Sequence, residues 1–442
     1  TSSIMIGDTT TGTIDAANYN TGLGEDVFAA LTTGDYNTTV GFRSLNDLTT
    51  GSYNTGLGAL ALDKVTTADS NTGIGYNALA ANTTGASNVA VGTAALDANT
   101  TASGNNAVGM AALGANTTGA SNVAMGQQAL TTNTTGGNNT AIGHVALGDN
   151  TTASNNTAVG YLALNANTTG DYNNALGGTA LDANTTGRLN VAIGYAALGA
   201  NTEGDSNVAI GHVALDANTT GNSNTAVGTD ALSANTTGDR NTAVGSSALD
   251  ALTTANYNVA MGWTALGATT TGTNNTAVGS FTLQNNVTGN SNVAFGYAAL
   301  QAINTGGNTA LGYQAAYSTT TGTRITAIGY NTLYSNTTGT NNTGVGAEYS
   351  GLNGTLGANT TGSGNVAIGD SALQDNTTAS NNTAIGLLAM YTNTTGANNT
   401  AVGYRALDLN TTADNNTAIG YDALGSNTTG ENNAALGYRA LY

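Results

Sequence analysis

The side chains of this chain that could do chemistry are few in kind and return at regular places. Two histidines, 25 acidic residues, 19 tyrosines and one tryptophan stand in a background of Asn, Thr, Ala and Gly, with no cysteine. Lack of cysteine removes disulfides, thiolate metal sites and thiol nucleophiles. His144 and His212 lie four repeats apart, roughly 19 Å at strand spacing, too far to share a metal ion or a proton relay. Carboxylates fall in two columns, Asp63, Asp97, Asp182, Asp216, Asp250 and Asp408 in one, Asp35, Asp69, Asp171, Asp205, Asp239, Asp414 and Glu431 in the other. They often alternate with neutral residues, which keeps like charges about 10 Å apart. A glycosidase needs two carboxyls ~5–9.5 Å apart in a cleft, and the repeat offers no singular pair. The expectation is a protein that is not an enzyme, with no catalytic, cofactor or metal residues.

Aromatic residues make the most suggestive surface. One column carries Tyr76, Tyr161, Tyr195, Trp263 and Tyr297, together with both histidines, and a second carries Tyr19, Tyr36, Tyr53, Tyr172 and Tyr257. Exposed rings can stack on sugars, which makes a receptor-glycan groove one expectation. The plainer one is that flat rings cover the neighbouring coil or subunit and hold the stack together.

What places these columns is a repeat. The glycine of Asn-(Thr/Val)-Ala-(Val/Ile)-Gly recurs from Gly7 to Gly437 in 25 intervals, 23 of them equal, at 17 positions. A short fixed period over a whole chain means one supersecondary unit stacked on itself. Counting that glycine as position 0, Gly109 to Gly126 shows the unit: Leu113 at position 4 and Met125 at position 16 are the large apolar columns, expected to face inward. Asn122 to Met125 alternates as a short strand, and the stretch through Ala112 and Leu113 is read as a second. Ala115 to Gly119 forms a polar corner, where position 10 is Gly or Ala and so needs smallness more than a positive φ.

The fold class expected is therefore all-β: a parallel β-solenoid or β-roll of about 26 coils with a 17-residue repeat, elongated, one continuous array over residues 1–442. Stacked Asn88, Asn122, Asn139, Asn156, Asn173 and Asn190 are expected to form a hydrogen-bonded ladder along the axis. Two large apolar side chains per coil bury little against the entropy of ordering the whole coil, which favours association into a trimer.

Seven scattered Lys and Arg against 25 acidic residues, net charge −18, exclude nucleic acid as an expected partner. No apolar run reaches the ~18 residues of a membrane span. The opening residues lack signal-peptide regions, and the chain reads as a segment trimmed from something longer.

The phrase Asn-(Val/Thr)-Ala-(Ile/Val)-Gly followed by a small residue two or three places later resembles the head repeats of YadA-type trimeric adhesins, whose usual period is shorter than the one here. The fuller phrase, Asn416 to Tyr421 with Ala423-Leu424 and Asn427 to Gly430, is similar to phage tail-fibre repeats of the kind followed by an endosialidase-type intramolecular chaperone. The resemblance covers essentially the whole chain. It implies left-handed parallel β-rolls packed three together, a homotrimeric rod that displays a binding tip at a cell surface or on a virion. An end-to-end filament joined through open β-edges is the alternative, an ice-binding solenoid a minor one.

Two intervals depart from the period. Gly296 to Gly312 falls one short of it and is expected as a local tightening. Gly346 to Gly369 exceeds it by six, with residues 347–357 expected to bulge as a loop carrying Tyr349. The Asn-Thr-Thr triplets match a glycosylation sequon as a by-product of the repeat.

Overall fold

A computed structural model describes residues 3–6, 16–348, 351 and 353–442, in two compact units, residues 1–222 and 223–442. Each unit is a parallel β-solenoid. The first runs from β1 (Ile4–Ile6) to β13 (Val208–Ile210), the second from β14 (Thr225–Val227) to β26 (Ala434–Leu436), and every strand is three residues long. Successive strands pair in parallel, one coil apart, in strict register: Ala124 faces Ala141, and Ala141 faces Ala158.

One strand per coil, not two, is the first correction. The stretch through Ala112 and Leu113 is a turn, with φ +55° at Ala111 and +52° at Leu113. Residues of positive φ stand at alternate places, and the N–H of Ala112 between two of them closes onto the carbonyl of Gly109 in its own coil at 3.4 Å. Ala111 donates back to the carbonyl of Thr93 at 3.0 Å, while Leu113 donates forward to that of Ala129 at 3.0 Å. The segment is thus tied to both neighbouring coils as a strand would be. Conformations that cost L-residues energy are held by these inter-coil bonds.

The second correction concerns which strand face is inside. Position 15 is buried, as at Ala107, Ala124 and Ala141, while position 16 looks outward, with Met125 45% and Ile193 38% exposed. Small residues fill the interior at the strand, Ala or Gly in nearly every coil and a buried Thr at Thr39. Position 4 holds the larger interior side chains, where Leu79, Leu96, Leu113 and Leu130 are fully buried beside the position-3 alanines.

Glycine is obligatory at the marker. Gly75 has φ +131°, and a Cβ there would lie 2.6 Å from the carbonyl oxygen of Gly92. Position 10 differs: Gly119 has no positive φ, its place is crowded, and Ala102 and Ala153 fill the same column.

The irregular intervals are absorbed without loss of register. In the shortened coil, Asn304 Oδ1 accepts from the N–H groups of Val287 and Thr288, both at 2.9 Å. Elsewhere a main-chain carbonyl does this, as Thr134 does for Thr117 and Thr118. Across the longer interval, β21 (Thr343–Val345) pairs directly with β22 (Val366–Ile368). The coil resumes by Thr355 and the buried Leu356. Tyr349, Ser350 and Leu352 of the insertion lie outside the described residues.

Candidate interaction surfaces

The asparagines at position 13 are buried in nearly every coil, and most of their side chains span two coils. Asn88 Nδ2 donates to the carbonyl of Ala102 at 2.9 Å. Asn122 Oδ1 accepts the main-chain N–H of Asn139, and Asn139 Oδ1 that of Asn156, each at 2.9 Å. Asn156 Oδ1 serves Asn173 at 2.8 Å, and Asn173 Oδ1 serves Asn190 at 3.0 Å. The expected ladder is present, but it runs mainly from side chain to backbone.

The amide-to-amide ladder lies at position 7, inside what reads as a polar corner. Asn82, Asn99, Asn116 and Asn133 are fully buried, and the Nδ2 of each of the last three donates to the preceding Oδ1 at 2.8–3.0 Å. The signal was available in the column itself, which opens with Ile14, Leu31, Leu48 and Val65: a site that accepts Leu or Asn is an interior one. Burial also removes these sequon asparagines from any glycosylating enzyme. Thr117 Oγ1 donates to the carbonyl of Thr134 at 3.0 Å, which leaves Thr118 as the exposed hydroxyl of the corner.

At position 11 polar side chains cap the previous coil. Asp171 Oδ1 accepts the N–H of Ser154 at 2.7 Å, and Asp205 Oδ1 that of Arg188 at 2.6 Å. At position 5 the carboxyls of Asp97, Asp182 and Asp250 are pushed above the usual carboxylate range, burial being the main cause. Asp408 is raised for the same reason despite its 2.6 Å ion pair with Arg405. Four of the seven bases pair with aspartates: Arg43 with Asp63, Lys64 with Asp47 and Asp63, Arg405 with Asp408, and Arg439 with Asp422. Among the described residues there is no cluster of three or more His, Cys, Asp or Glu placed to hold a metal. No helix of the described residues is long and apolar enough to cross a membrane.

The aromatic columns are exposed and stacked on one another. Tyr161 lies on His144 with centroids 5.8 Å apart, and Tyr195 on His212 at 5.6 Å. In the second unit Trp263 meets Phe281 edge-on at 4.7 Å, Phe281 meets Tyr297 at 5.6 Å, and Tyr297 stacks on Tyr313 at 5.3 Å. Phe281, one place off the column, is the member that column-by-column reading misses. Tyr76 stands alone, 57% exposed, with no ring partner among the described residues. Rings stacked face to face present edges and hydroxyls outward, so sugar stacking is confined to isolated rings such as Tyr76 and to the ends of each run.

Comparison with known proteins decides nothing further. The chain matches no family model and no curated protein.

The remaining surface is the outer face of each sheet. Along position 16, Met125, Ile142 and Ile193 in the first unit and Met261, Phe295 and Leu311 in the second are exposed large apolar side chains. Thr or Val occupies most of position 14 beside them, as at Thr140, Val191 and Thr276. A continuous apolar strip on a protein surface marks a contact site more often than isolated residues do.

Proposed function

We propose that this chain is a non-enzymatic structural solenoid that associates side by side with copies of itself, as the shaft or head of an extracellular trimeric adhesin or phage tail fibre, at a cell surface or on a virion. The observation that carries the reading is the uncovered apolar column at position 16, repeated coil after coil in each unit. A face whose features recur at the coil rise is matched best by a partner with the same rise, and a second copy of this chain has it. Burial of that column supplies the apolar contact that the narrow, Ala-filled interior of a single coil lacks. Resemblance of the repeat to YadA-type heads and tail-fibre shafts favours three chains and an attachment role, with a cell-surface glycan or receptor as the bound partner.

Sedimentation or light scattering over a range of concentrations tests the proposal. A fixed mass near three chains supports it, and Ile142→Lys with Ile193→Lys is expected to release single chains by placing charges on the shared face. A wild-type chain that stays single at every concentration overturns the association. A mass that grows without limit replaces the trimer with a filament.

A further inference from the structure

Among the described residues, seven pairs of tyrosine rings lie one coil apart with centroids 4.8–5.3 Å apart and planes within 25° of parallel. Tyr36 with Tyr53 in the first unit, and Tyr313 with Tyr330 and Tyr421 with Tyr438 in the second, are representative, and all six rings are exposed. The spacing is that of the coil itself, ~4.7–4.9 Å, so the backbone ladder holds the rings in place. A parallel stack sets the ring carbons ortho to one phenol oxygen beside their counterparts on the next ring. Those carbons carry the unpaired spin when a phenol loses an electron and its proton. The chain has no cysteine, so it brings no thiol of its own to reduce such a radical.

We propose that these stacks are sites of oxidative dityrosine cross-linking, which staples one coil covalently to the next. The co-reactant is a one-electron oxidant of the haem-peroxidase class, regenerated by hydrogen peroxide. Each of two stacked tyrosines gives up one electron and its phenol proton. The two radicals join through a bond between ortho carbons, and the hydrogens on those carbons shift to the oxygens, restoring both phenols. Two tyrosines lose two hydrogen atoms in all, and one hydrogen peroxide becomes two waters. The link between Tyr313 and Tyr330 closes a loop of one full repeat, and closing such a loop constrains the unfolded chain as a disulfide does. A chain without cysteine thus carries covalent staples of another chemistry.

The inference is independent of self-association, and its test separates the two. The full chain, dilute, is treated with a haem peroxidase and hydrogen peroxide, and cross-linked peptides are mapped by mass spectrometry. Expected are links within single chains joining Tyr36 to Tyr53, Tyr313 to Tyr330 and Tyr421 to Tyr438, with dityrosine fluorescence several-fold above that of the urea-unfolded chain. Tyr330→Phe should remove the Tyr313–Tyr330 link and leave Tyr421–Tyr438 intact. Equal yield from the unfolded chain, links found only between chains, or links that favour the unstacked Tyr76 would each overturn the proposal.

Discussion

Asn122 accepts the main-chain N–H of Asn139 through its Oδ1 at 2.9 Å, deep inside the stack. Its Nδ2 donates to the carbonyl of Gly136 at 2.9 Å, so one carboxamide satisfies a donor and an acceptor of the next coil. Asn122→Ala strands both, at roughly 1–3 kcal/mol for each buried group left unpaired. In a repeat array this loss is local. Hydrogen exchange at the Asn139 amide should quicken markedly, while exchange several coils away should hold. Unchanged protection at Asn139 would show that the ladder adds nothing.

The marker glycine Gly75 and Gly114, at position 5 of a later coil, make a matched pair of tests. Gly75 combines φ +131° with a would-be Cβ 2.6 Å from Gly92 O, so Gly75→Ala must both strain and separate two coils. The expected loss is of order 3–5 kcal/mol. At Gly114 φ is not positive and an added Cβ finds its nearest atom, Ala111 O, at 3.3 Å. Gly114→Ala should cost far less than Gly75→Ala in a urea melt, and similar losses for the two variants would refute the argument.

Much of this was legible in the sequence, and the failures share one cause. Period, parallel register and the position-13 asparagines follow from spacing, because identical residues one period apart must meet. Inside and outside were harder to assign. Met125 and Ile142 look like core by hydropathy, yet Ala124 and Ala141 take the interior because the coil is narrow there. Asn116 looks like surface by polarity, yet a stack of like amides satisfies itself and can be buried. Leu113 reads as strand, and its left-handed φ is set by inter-coil hydrogen bonds that no local propensity encodes.

Ile325 is the one break in the position-13 column between Gly7 and Gly437, and it tests what the ladder adds. It is buried and its main chain still donates to Asn308 Oδ1 at 3.0 Å, but its own side chain offers Asn342 no acceptor. Ile325→Asn exchanges about 1.5–3 kcal/mol of apolar burial for hydrogen bonds of about 1 kcal/mol each and an acceptor for Asn342. Global stability should therefore change little, while exchange of the Asn342 amide slows. A faster Asn342 amide in the variant would refute the exchange.

Asp182 gives the fold a pH dependence opposite in sign to that of an ion-paired carboxylate. Burial pushes its carboxyl above the usual range, and the N–H groups of Asp182 and Ala183 offset this only in part. The folded chain therefore holds this proton more tightly than the unfolded chain does. Linkage then makes its contribution most favourable below the ordinary carboxylate pKa, and that contribution declines as pH rises to the raised folded value. Asp97 and Asp250 are raised by the same cause and add to the slope. Asp182→Asn keeps the shape and removes the charge. It should raise the urea midpoint at neutral pH, leave it nearly unchanged well below the ordinary carboxylate range, and flatten the pH profile between. A variant destabilised equally at every pH would mean that the carboxylate is valued for its hydrogen bonds and that its burial is not resisted.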